Sequence, residues 1–422
     1  MKVRQIKNIV LAALFLIMGQ NIVMAQLSLD SCHFKALANY PLIQQYGLIE
    51  QSREISLSNA NKAYLPQFDI TLIGGIVDGM PSLSQPGASS SSSAQANLIT
   101  IGQINQVIWD GGMTKASKGI IEANSQIERA DMDVNLYQLR DRVNNLYFGV
   151  LLIEEQISQL NLHKETLHRN QKLIQEAIDN GTAYKSDADE LMVEIINVEQ
   201  KRSELVYNKM AYVKILSAMI GEDINDNELF IRPVVATSIY GLNNNRPELA
   251  KFNNQRSLVE ASAQLNKAML FPKFGVLAFG TFLTPGIEFG TSDITNIVVA
   301  GVSVSWSLSP LYKNGNNKKL TNINLSRIQN QKETFLFNTN LELTQTDIEL
   351  KRLHNSIEQD KEILKLKTSI KDSYSVKYEN GIATMSQFLD RMVDENLAKQ
   401  MMIMHEIQYL MKTYQYLNQS GN

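Results

Sequence analysis

Two very long stretches without proline are the feature that most constrains the fold of this chain. Between Met113 and Asn180 there is no proline, and glycine occurs only as Gly119 and Gly149. Aliphatic residues recur there in steps of three, four and seven: Leu136, Leu139, Val143, Leu146, Val150, Ile153, Ile157, Leu160, Leu167 and Ile174. This heptad spacing predicts a helix in a left-handed supercoil. At 1.5 Å per residue the helix would be about 100 Å long, which indicates a rod or a tube.

The second half of the chain has a stretch of the same kind. Its leucines and isoleucine are spaced by seven residues: Leu336, Leu343, Leu350, Ile357 and Leu364. Asn180-Gly181 and Asn380-Gly381 follow the two stretches, and glycine readily adopts the left-handed conformation at a helix C-terminus. We therefore expect long helices over about 113–180 and 318–380. Further helices are expected over about 186–220 and 386–418, with Ser186 and Ser386 suited to their N-caps.

Short motifs recur in the same order in the two halves, which predicts an internal duplication. The first two pairs are 206 residues apart and the third pair is 200 apart. The pairs are Asn39–Pro41 with Asn245–Pro247, Leu65–Phe68 with Phe271–Phe274, and Asn180–Ala183 with Asn380–Ala383. We predict two structural repeats, 26–230 and 231–422, each with a helix, two strands, a long helix and a further helix. The first helix of the second repeat is expected over about 247–270.

Four segments alternate between apolar and small or polar residues, as β-strands do. They are 67–77, 97–109, 273–283 and 296–308, and each has about the length that a tilted strand needs to cross a bilayer. The two tryptophans, Trp109 and Trp306, are expected to end the second strand of each pair, where aromatic residues lie at a membrane interface. The alternative is two soluble β-hairpins packed on helices.

Four membrane strands cannot close a barrel by themselves. An open edge in lipid would leave backbone amide and carbonyl groups unpaired at a cost of several kcal/mol each. Strands must therefore be pooled between chains, as eight in a dimer or twelve in a trimer. Because side chains fill the interior of an eight-stranded barrel, only the trimer would form a conduit.

The N-terminus and the composition exclude several other classes of protein. A basic start, a short apolar run and Val23–Ala25 predict a secretory signal peptide over residues 1–25. Its removal would leave 37 basic against 43 acidic residues, which disfavours nucleic-acid binding. Cys32 is the only cysteine, so neither an intrachain disulfide nor a cysteine zinc site is expected. No later window is apolar enough to predict a transmembrane helix.

The ordered set of motifs resembles the TolC family of outer-membrane efflux proteins. The matching segments are Tyr64–Pro66, Leu270–Pro272, Trp109–Gly112 and the two Asn-Gly pairs. The resemblance implies a mixed α/β membrane protein in which a homotrimer forms a twelve-stranded outer-membrane β-barrel, continued by an α-helical coiled-coil barrel across the periplasm. It also implies export of drugs, metals, peptides or proteins. The implied partners are a periplasmic adaptor (membrane fusion protein) and an inner-membrane pump of the resistance-nodulation-division or ABC type.

The resemblance also implies a gate, whose residues are assigned by their distance from Gly181 and Gly381 at the tips of the two helical hairpins. Asp187 and Tyr378 match members of a network that holds the helices closed, and Asp390 matches an aspartate whose three copies ring the pore. Gln387 stands where a second acidic ring can lie, and Ala383 stands where an arginine can lock the helices. A plain alternative for Asp187 and Asp390 is that both are carboxylates favoured by the dipole at the start of a helix. The adaptor would dock on Asn180, Gly181, Ala183, Ser186, Asn380, Gly381, Ala383 and Ser386.

No motif indicates an enzyme, a cofactor or a metal site. The five histidines lack metal-binding spacing, and no phosphate loop or nucleophile elbow is present. Two alternatives without a channel remain: a periplasmic coiled-coil adaptor and a structural or adhesin stalk. The adaptor would normally have one helical hairpin and an added β-domain, whereas a stalk would not explain the repeated segments.

Overall fold

Long helices dominate the described part of the chain. The computed structural model describes residues 26–77, 95–225, 228–234, 244–284 and 295–422. The predicted signal peptide lies outside these residues. The helices are α1 (Leu29–Asn39), α2 (Gln45–Asn61), α3 (Met113–Asp179), α4 (Lys185–Ile220), α5 (Pro247–Ala268), α6 (Ser309–Glu379) and α7 (Met385–Ser420). The strands are β1 (Gln26–Leu27), β2 (Gln67–Val77), β3 (Gln95–Trp109), β4 (Leu229–Phe230), β5 (Lys273–Thr284) and β6 (Thr295–Ser305).

The helix α3 is a single helix of 67 residues, and its apolar seam is the stripe that the heptad pattern predicts. Val143, Val150, Leu167 and Ile174 on this stripe are each at most 1% exposed. The helix α6 has 71 residues, but its seam is buried only in part. Leu350 is 2% exposed, whereas Leu336, two heptads earlier, is 36% exposed. The heptad spacing alone therefore overestimates how much of the α6 seam this chain buries.

The helix α6 begins at Ser309, nine residues before the predicted start at 318. Pro310 and Gly315 both lie within its first two turns. Proline is tolerated in the first turn of a helix because the amide that it lacks would have no intrahelical acceptor there. The helix therefore starts earlier than expected, because its first turn accommodates Pro310.

The strands β2, β3, β5 and β6 form one antiparallel sheet in that order. Gln67 pairs with Asn105, Trp109 with Phe274, and Lys273 with Ser305, so these residues mark one end of the sheet. The strand β6 ends at Ser305, although the sequence alternation continues through Leu308. Its partner β5 begins at Lys273, directly after Pro272, and proline has no amide to donate to the ladder. Trp306 therefore lies just beyond the strand that it was expected to end.

The chain divides into two units. One consists of Gln44–Asp131 and Glu248–Thr334, and it contains the four-stranded sheet. The other contains Met132–Pro247, Phe335–Asn422 and the described residues up to Ile43.

Tyr147 lies at the centre of the core of this second unit and is fully buried. Its hydroxyl is 2.7 Å from the carbonyl oxygens of both Leu27 and Ile231, and it donates to one of them at a time. These contacts hold α3 against β1 and against the segment that follows β4. Cys32 of α1 is buried in the same core, and burial raises the pKa of its thiol to about 12.

Candidate functional site

The two helical tips are built in the same way. Gly181 and Gly381 have φ of 72° and 68°, the left-handed region in which a side chain is strained. The amide of Gly181 donates to the carbonyl of Ile178 at 2.9 Å, and the amide of Gly381 donates to that of Tyr378 at 2.9 Å. The side-chain amides of the preceding asparagines, Asn180 and Asn380, donate to the carbonyls four residues earlier at 2.8 and 2.7 Å. Each Asn-Gly pair therefore closes its long helix.

The helices after the tips are capped by residues other than the predicted serines. Thr384 is the N-cap of α7: its hydroxyl accepts from the amide of Gln387 at 3.2 Å, and its amide donates to the Gln387 side chain at 3.0 Å. Tyr184 is the N-cap of α4, and its amide donates to the Asp187 carboxylate at 3.0 Å. Ser186 and Ser386 lie in the first turns, so assigning them as N-caps was wrong. In each helix the N-cap residue lies three residues before the side chain that contacts it, Tyr184 before Asp187 and Thr384 before Gln387.

The Asp187 carboxylate accepts its hydrogen bond at the start of its own helix, and its charge acts on Tyr378. Burial and then the negative charge of Asp187 raise the pKa of the Tyr378 phenol. The Tyr378 ring stacks on Phe388, with centroids 5.9 Å apart and planes 10° apart. The Asp187 carboxylate accepts from the backbone of Tyr184, as described above. The hydrogen-bonding partner of Asp187 and the stacking partner of Tyr378 are thus other residues, and a gate network that links the two stays a prediction.

Asp390 lies two turns into α7 and is exposed. Within the described part of the chain it has no hydrogen-bonding or salt-bridge partner. Gln387 is also exposed, but its side chain is engaged by the cap of α7. Ala183 and Ala383 are both half-buried beside the tip glycines. Of the two expected constriction residues on α7, Asp390 is therefore the one whose side chain has no partner among the described residues.

Sequence reasoning missed a charged network between α6 and α7. Glu395 is 8% exposed; it lies 3.0 Å from the Lys371 ammonium and accepts a hydrogen bond of 2.8 Å from the Thr368 hydroxyl. One helical turn earlier on α6, Lys367 lies 2.7 Å from Asp394. Arg391 contacts the same Asp394 at 3.1 Å. The network therefore joins the last third of α6 to the first part of α7. The register of two helices decides such pairs, and the spacing of charges along one helix does not reveal it.

Apolar residues of three helices pack beneath the tips in one buried cluster. Leu167 and Ile174 of α3, Leu191 of α4 and Met385 of α7 are each at most 1% exposed there. Tyr378 at the end of α6 packs against the same cluster. The two helical hairpins are thus held together near their tips by apolar packing as well as by the charged network.

The two tryptophans lie at the same end of the sheet and are both exposed. Trp109 is 43% exposed, and its ring lies 5.6 Å from that of Phe274. Trp306 is 57% exposed, and its indole nitrogen donates to the carbonyl of Leu270 at 3.1 Å. Their assignment to a membrane interface stays a prediction.

Among the described residues, no group of three or more histidine, cysteine, aspartate or glutamate side chains is placed to hold a metal ion. No helix in these ranges is both long and apolar enough to cross a bilayer.

The chain is similar in structure to several outer-membrane channels. It matches the outer membrane protein VceC of Vibrio cholerae with a TM-score of 0.66 at 11% identity, over 93% of this chain and 96% of that one. It matches the open state of the MtrE outer membrane channel of Neisseria gonorrhoeae with a TM-score of 0.64 at 13% identity, over 93% and 89%. For the CmeC outer membrane channel of Campylobacter jejuni the TM-score is 0.61 at 13% identity, over 93% and 85%.

These matches show the fold of the chain. No protein-family model and no curated protein sequence matches it. The chain has the fold of outer-membrane channel proteins, which confirms, at the level of the fold, the resemblance found in the sequence.

Proposed function

We propose that this chain is the outer-membrane exit duct of a tripartite efflux or type I secretion system. In this role it lies in the outer membrane, extends into the periplasm and conducts small molecules or peptides passively. An inner-membrane pump supplies the energy, and no step of the proposed role is catalytic. The observation that carries the proposal is the four-stranded sheet, which combines an exposed apolar face with two unpaired edges.

The exposed face of the sheet has the character of a lipid-facing surface. The strand register places the even-numbered residues of all four strands on one face. On the outermost strands this face is apolar and open, with exposed fractions between 61% and 81% for Phe68, Ile70, Leu72, Val298, Val302 and Val304. A soluble protein seldom leaves so large an apolar patch uncovered. Lipid acyl chains would cover it at no cost in unpaired polar groups.

The two edges of the sheet support an oligomer. The strands β2 and β6 are outermost, and within the described residues neither has a partner on its outer side. In a membrane these edges must pair, and further copies of the same chain can supply the missing strands. Three copies would give twelve strands and a lumen, as the resemblance implies.

The helical tips fit the proposed docking of an adaptor. Tyr184 is 79% exposed and Ile382 is 75% exposed, and each lies within three residues of a tip glycine. Exposed apolar side chains on a rigid turn suit a protein partner. We include Asn180, Ala183, Ser186, Asn380, Ala383 and Ser386 in this surface.

The proposal is tested by extracting the full-length protein and measuring its conductance. We expect the protein to fractionate with the outer membrane, to require detergent and to have the mass of a trimer. In a planar bilayer it should give discrete conductance steps. A monomer soluble without detergent would refute the duct and favour an adaptor or a stalk.

The gate is tested separately by Asp390→Asn. If three Asp390 carboxylates ring the pore, this variant should lose cation selectivity, because acidic rings attract cations. Asp189→Asn is a matched control, since Asp189 is an exposed aspartate of α4 near the other tip. Unchanged selectivity of the Asp390 variant would remove Asp390 from the constriction.

A further inference from the structure

Four chain segments meet at the end of the sheet marked by Gln67, Trp109, Lys273 and Ser305. They are residues 57–66 and 263–272, which lead into β2 and β5, and residues 110–119 and 306–319, which follow β3 and β6. The antiparallel register brings all four segments to this one end.

These segments carry a strong excess of positive charge. They contain seven lysines, which we name the lysine collar: Lys62, Lys115, Lys118, Lys267, Lys313, Lys318 and Lys319. The one acidic residue in the same segments is Asp110, which is 7% exposed. Its carboxylate accepts hydrogen bonds from the amides of Gly112 and Thr114, at 2.9 and 2.6 Å, and from the Tyr64 hydroxyl at 3.1 Å. Asp110 therefore caps the start of α3, and its single negative charge leaves the seven lysines with a net excess of six positive charges.

The collar lysines have no carboxylate partner among the described residues. Elsewhere in the same unit Lys251 is paired with Asp131 at 2.7 Å, and Arg53 with Glu122 at 2.8 Å. Within the described residues, the Lys62 ammonium donates to the Asn59 side-chain oxygen at 3.3 Å. Unpaired ammonium groups near one end of the sheet are available to an anionic partner.

Two collar lysines flank an apolar groove between α3 and α5. The groove has a volume of about 530 Å³ and is lined by Gly111, Ala116 and Gly119 on one side and by Ala261, Ala268 and Phe271 on the other, with Lys115 and Lys267 among its lining residues. A side chain at position 111 would bring its Cβ to 2.9 Å from the Cβ of Phe271 and to 3.0 Å from the Ala268 carbonyl. Glycine at this position therefore allows the close approach of the segment before α3 to the end of α5.

Exposed aromatic rings lie at the same end of the sheet. Trp109 and Trp306 flank it, and Tyr312, near the start of α6, is 85% exposed. Aromatic rings of this kind are enriched at the headgroup level of a bilayer. Cations, aromatic rings and an apolar groove together match a phospholipid, whose anionic headgroup lies next to its acyl chains.

We propose that the lysine collar binds the headgroups of anionic glycerophospholipids in the membrane leaflet nearest the helices. This inference rests on the proposed membrane location of the sheet. The groove between α3 and α5 would take part of one acyl chain, while Lys115 and Lys267 contact its phosphate. The collar would thereby fix the depth of the sheet in the bilayer.

The test is native mass spectrometry of the full-length oligomer in detergent, titrated with palmitoyl-oleoyl phosphatidylglycerol or with the matching phosphatidylcholine. We expect the wild type to prefer phosphatidylglycerol. Each basic residue near an anionic lipid surface contributes about fivefold in affinity, so Lys115→Gln with Lys267→Gln should weaken binding by roughly 25-fold at low ionic strength. The preference should also fall with added salt. Lys318→Gln with Lys319→Gln, which leaves the groove intact, should weaken binding in the same direction.

The control is Lys172→Gln with Lys365→Gln, two exposed lysines of the other unit. This variant removes the same charge and should bind phosphatidylglycerol as the wild type does. Equal binding by wild type and both collar variants would overturn the inference, as would equal binding of the two lipids by the wild type. An altered ion selectivity of the pore with unchanged lipid binding would place the lysines in the lumen and also overturn it. In each of these outcomes a conducting trimer would leave the proposed duct intact, whereas loss of the trimer in the wild type would contradict the duct itself.

Discussion

The contact between Lys371 of α6 and Glu395 of α7 provides the sharpest test of what holds the two helices together. The Glu395 carboxylate is 8% exposed and has three polar contacts: Lys371 at 3.0 Å, the Thr368 hydroxyl at 2.8 Å and Lys399 at 3.5 Å. Replacing Lys371 by glutamine removes the one lysine that reaches Glu395 from the other helix. The buried charge is then left with a hydroxyl and a distant ammonium group.

The free energy that the pairing of α6 with α7 should lose lies between two limits. A hydrogen bond to a charged group contributes about 1.5–3 kcal/mol, and breaking a fully buried ion pair costs about 3–5 kcal/mol. Lys371 retains 24% side-chain exposure and Glu395 keeps its bond to Thr368, so the lower range applies. We expect Lys371→Gln to weaken the pairing of α6 with α7 by about 2 kcal/mol, which is roughly a 30-fold change in the opening equilibrium.

Hydrogen–deuterium exchange of the detergent-solubilised protein measures this opening directly. Amides of α7 around Glu395 should exchange roughly 30-fold faster in Lys371→Gln, whereas amides of α1 should not change. The matched control is Lys361→Gln, which breaks the exposed pair of Lys361 with Glu358 on the same helix. Exposed pairs of this kind contribute little, so no measurable change is expected. A change of less than threefold in Lys371→Gln, or an equal change in both variants, would refute the reasoning.

Three further outcomes follow from single residues. Burial alone would raise the pKa of Glu395, but hydrogen bonds from Lys371 and Thr368 lower this pKa below its usual range. The stability that Glu395 contributes is therefore complete above about pH 4.3. The protection of the α7 amides from hydrogen exchange should fall as the pH drops below that value. Cys32 is fully buried and its pKa is raised to about 12, so the folded protein should not react with a thiol reagent at pH 8 while the unfolded protein does. Gly149→Ala should have a lower apparent melting temperature than Gly119→Ala, because the Cβ at position 149 would overlap the Tyr212 ring, whereas the Cβ at position 119 has only an ordinary contact at 3.7 Å.

The parts of the fold that repeat along the chain could be predicted from the sequence. Apolar residues recur every 3.5 residues along the α3 seam and every two residues along the strands. Each pattern therefore identifies its element without knowledge of a partner. The ends of the helices and strands were predicted less accurately, because they depend on the residues and strands that surround them. Pro310 fits inside the first turn of α6, and β6 stops where Pro272 ends the ladder of β5. The alternation of apolar and polar residues predicts neither of these ends.

The candidate site could be predicted only as a set of positions. The tip glycines follow from local backbone chemistry, and the structure gives both the left-handed conformation. The contacts of Asp187 do not follow from its position, because a carboxylate three residues after an N-cap can satisfy the helix start or contact a neighbouring tyrosine. Here it accepts from the amide of Tyr184 and acts on Tyr378 only through its charge. The charged network around Glu395 depends on helix register, which a single sequence does not specify.

The exposed apolar residues of α6 bear on what surrounds this chain. Beside the seam that contains Leu350 there is a second stripe, in which Phe337, Leu341 and Ile348 are 63%, 53% and 61% exposed. Their spacing of four and seven residues is again that of a coiled coil, but this stripe is left open to solvent within the described chain. A helix with one buried seam and one exposed seam is suited to pack on two sides. The proposed trimer would supply the second side, and it would also pair the open edges of the sheet. One assembly therefore accounts for both an uncovered helix stripe and an unclosed sheet, which a soluble monomer would leave exposed.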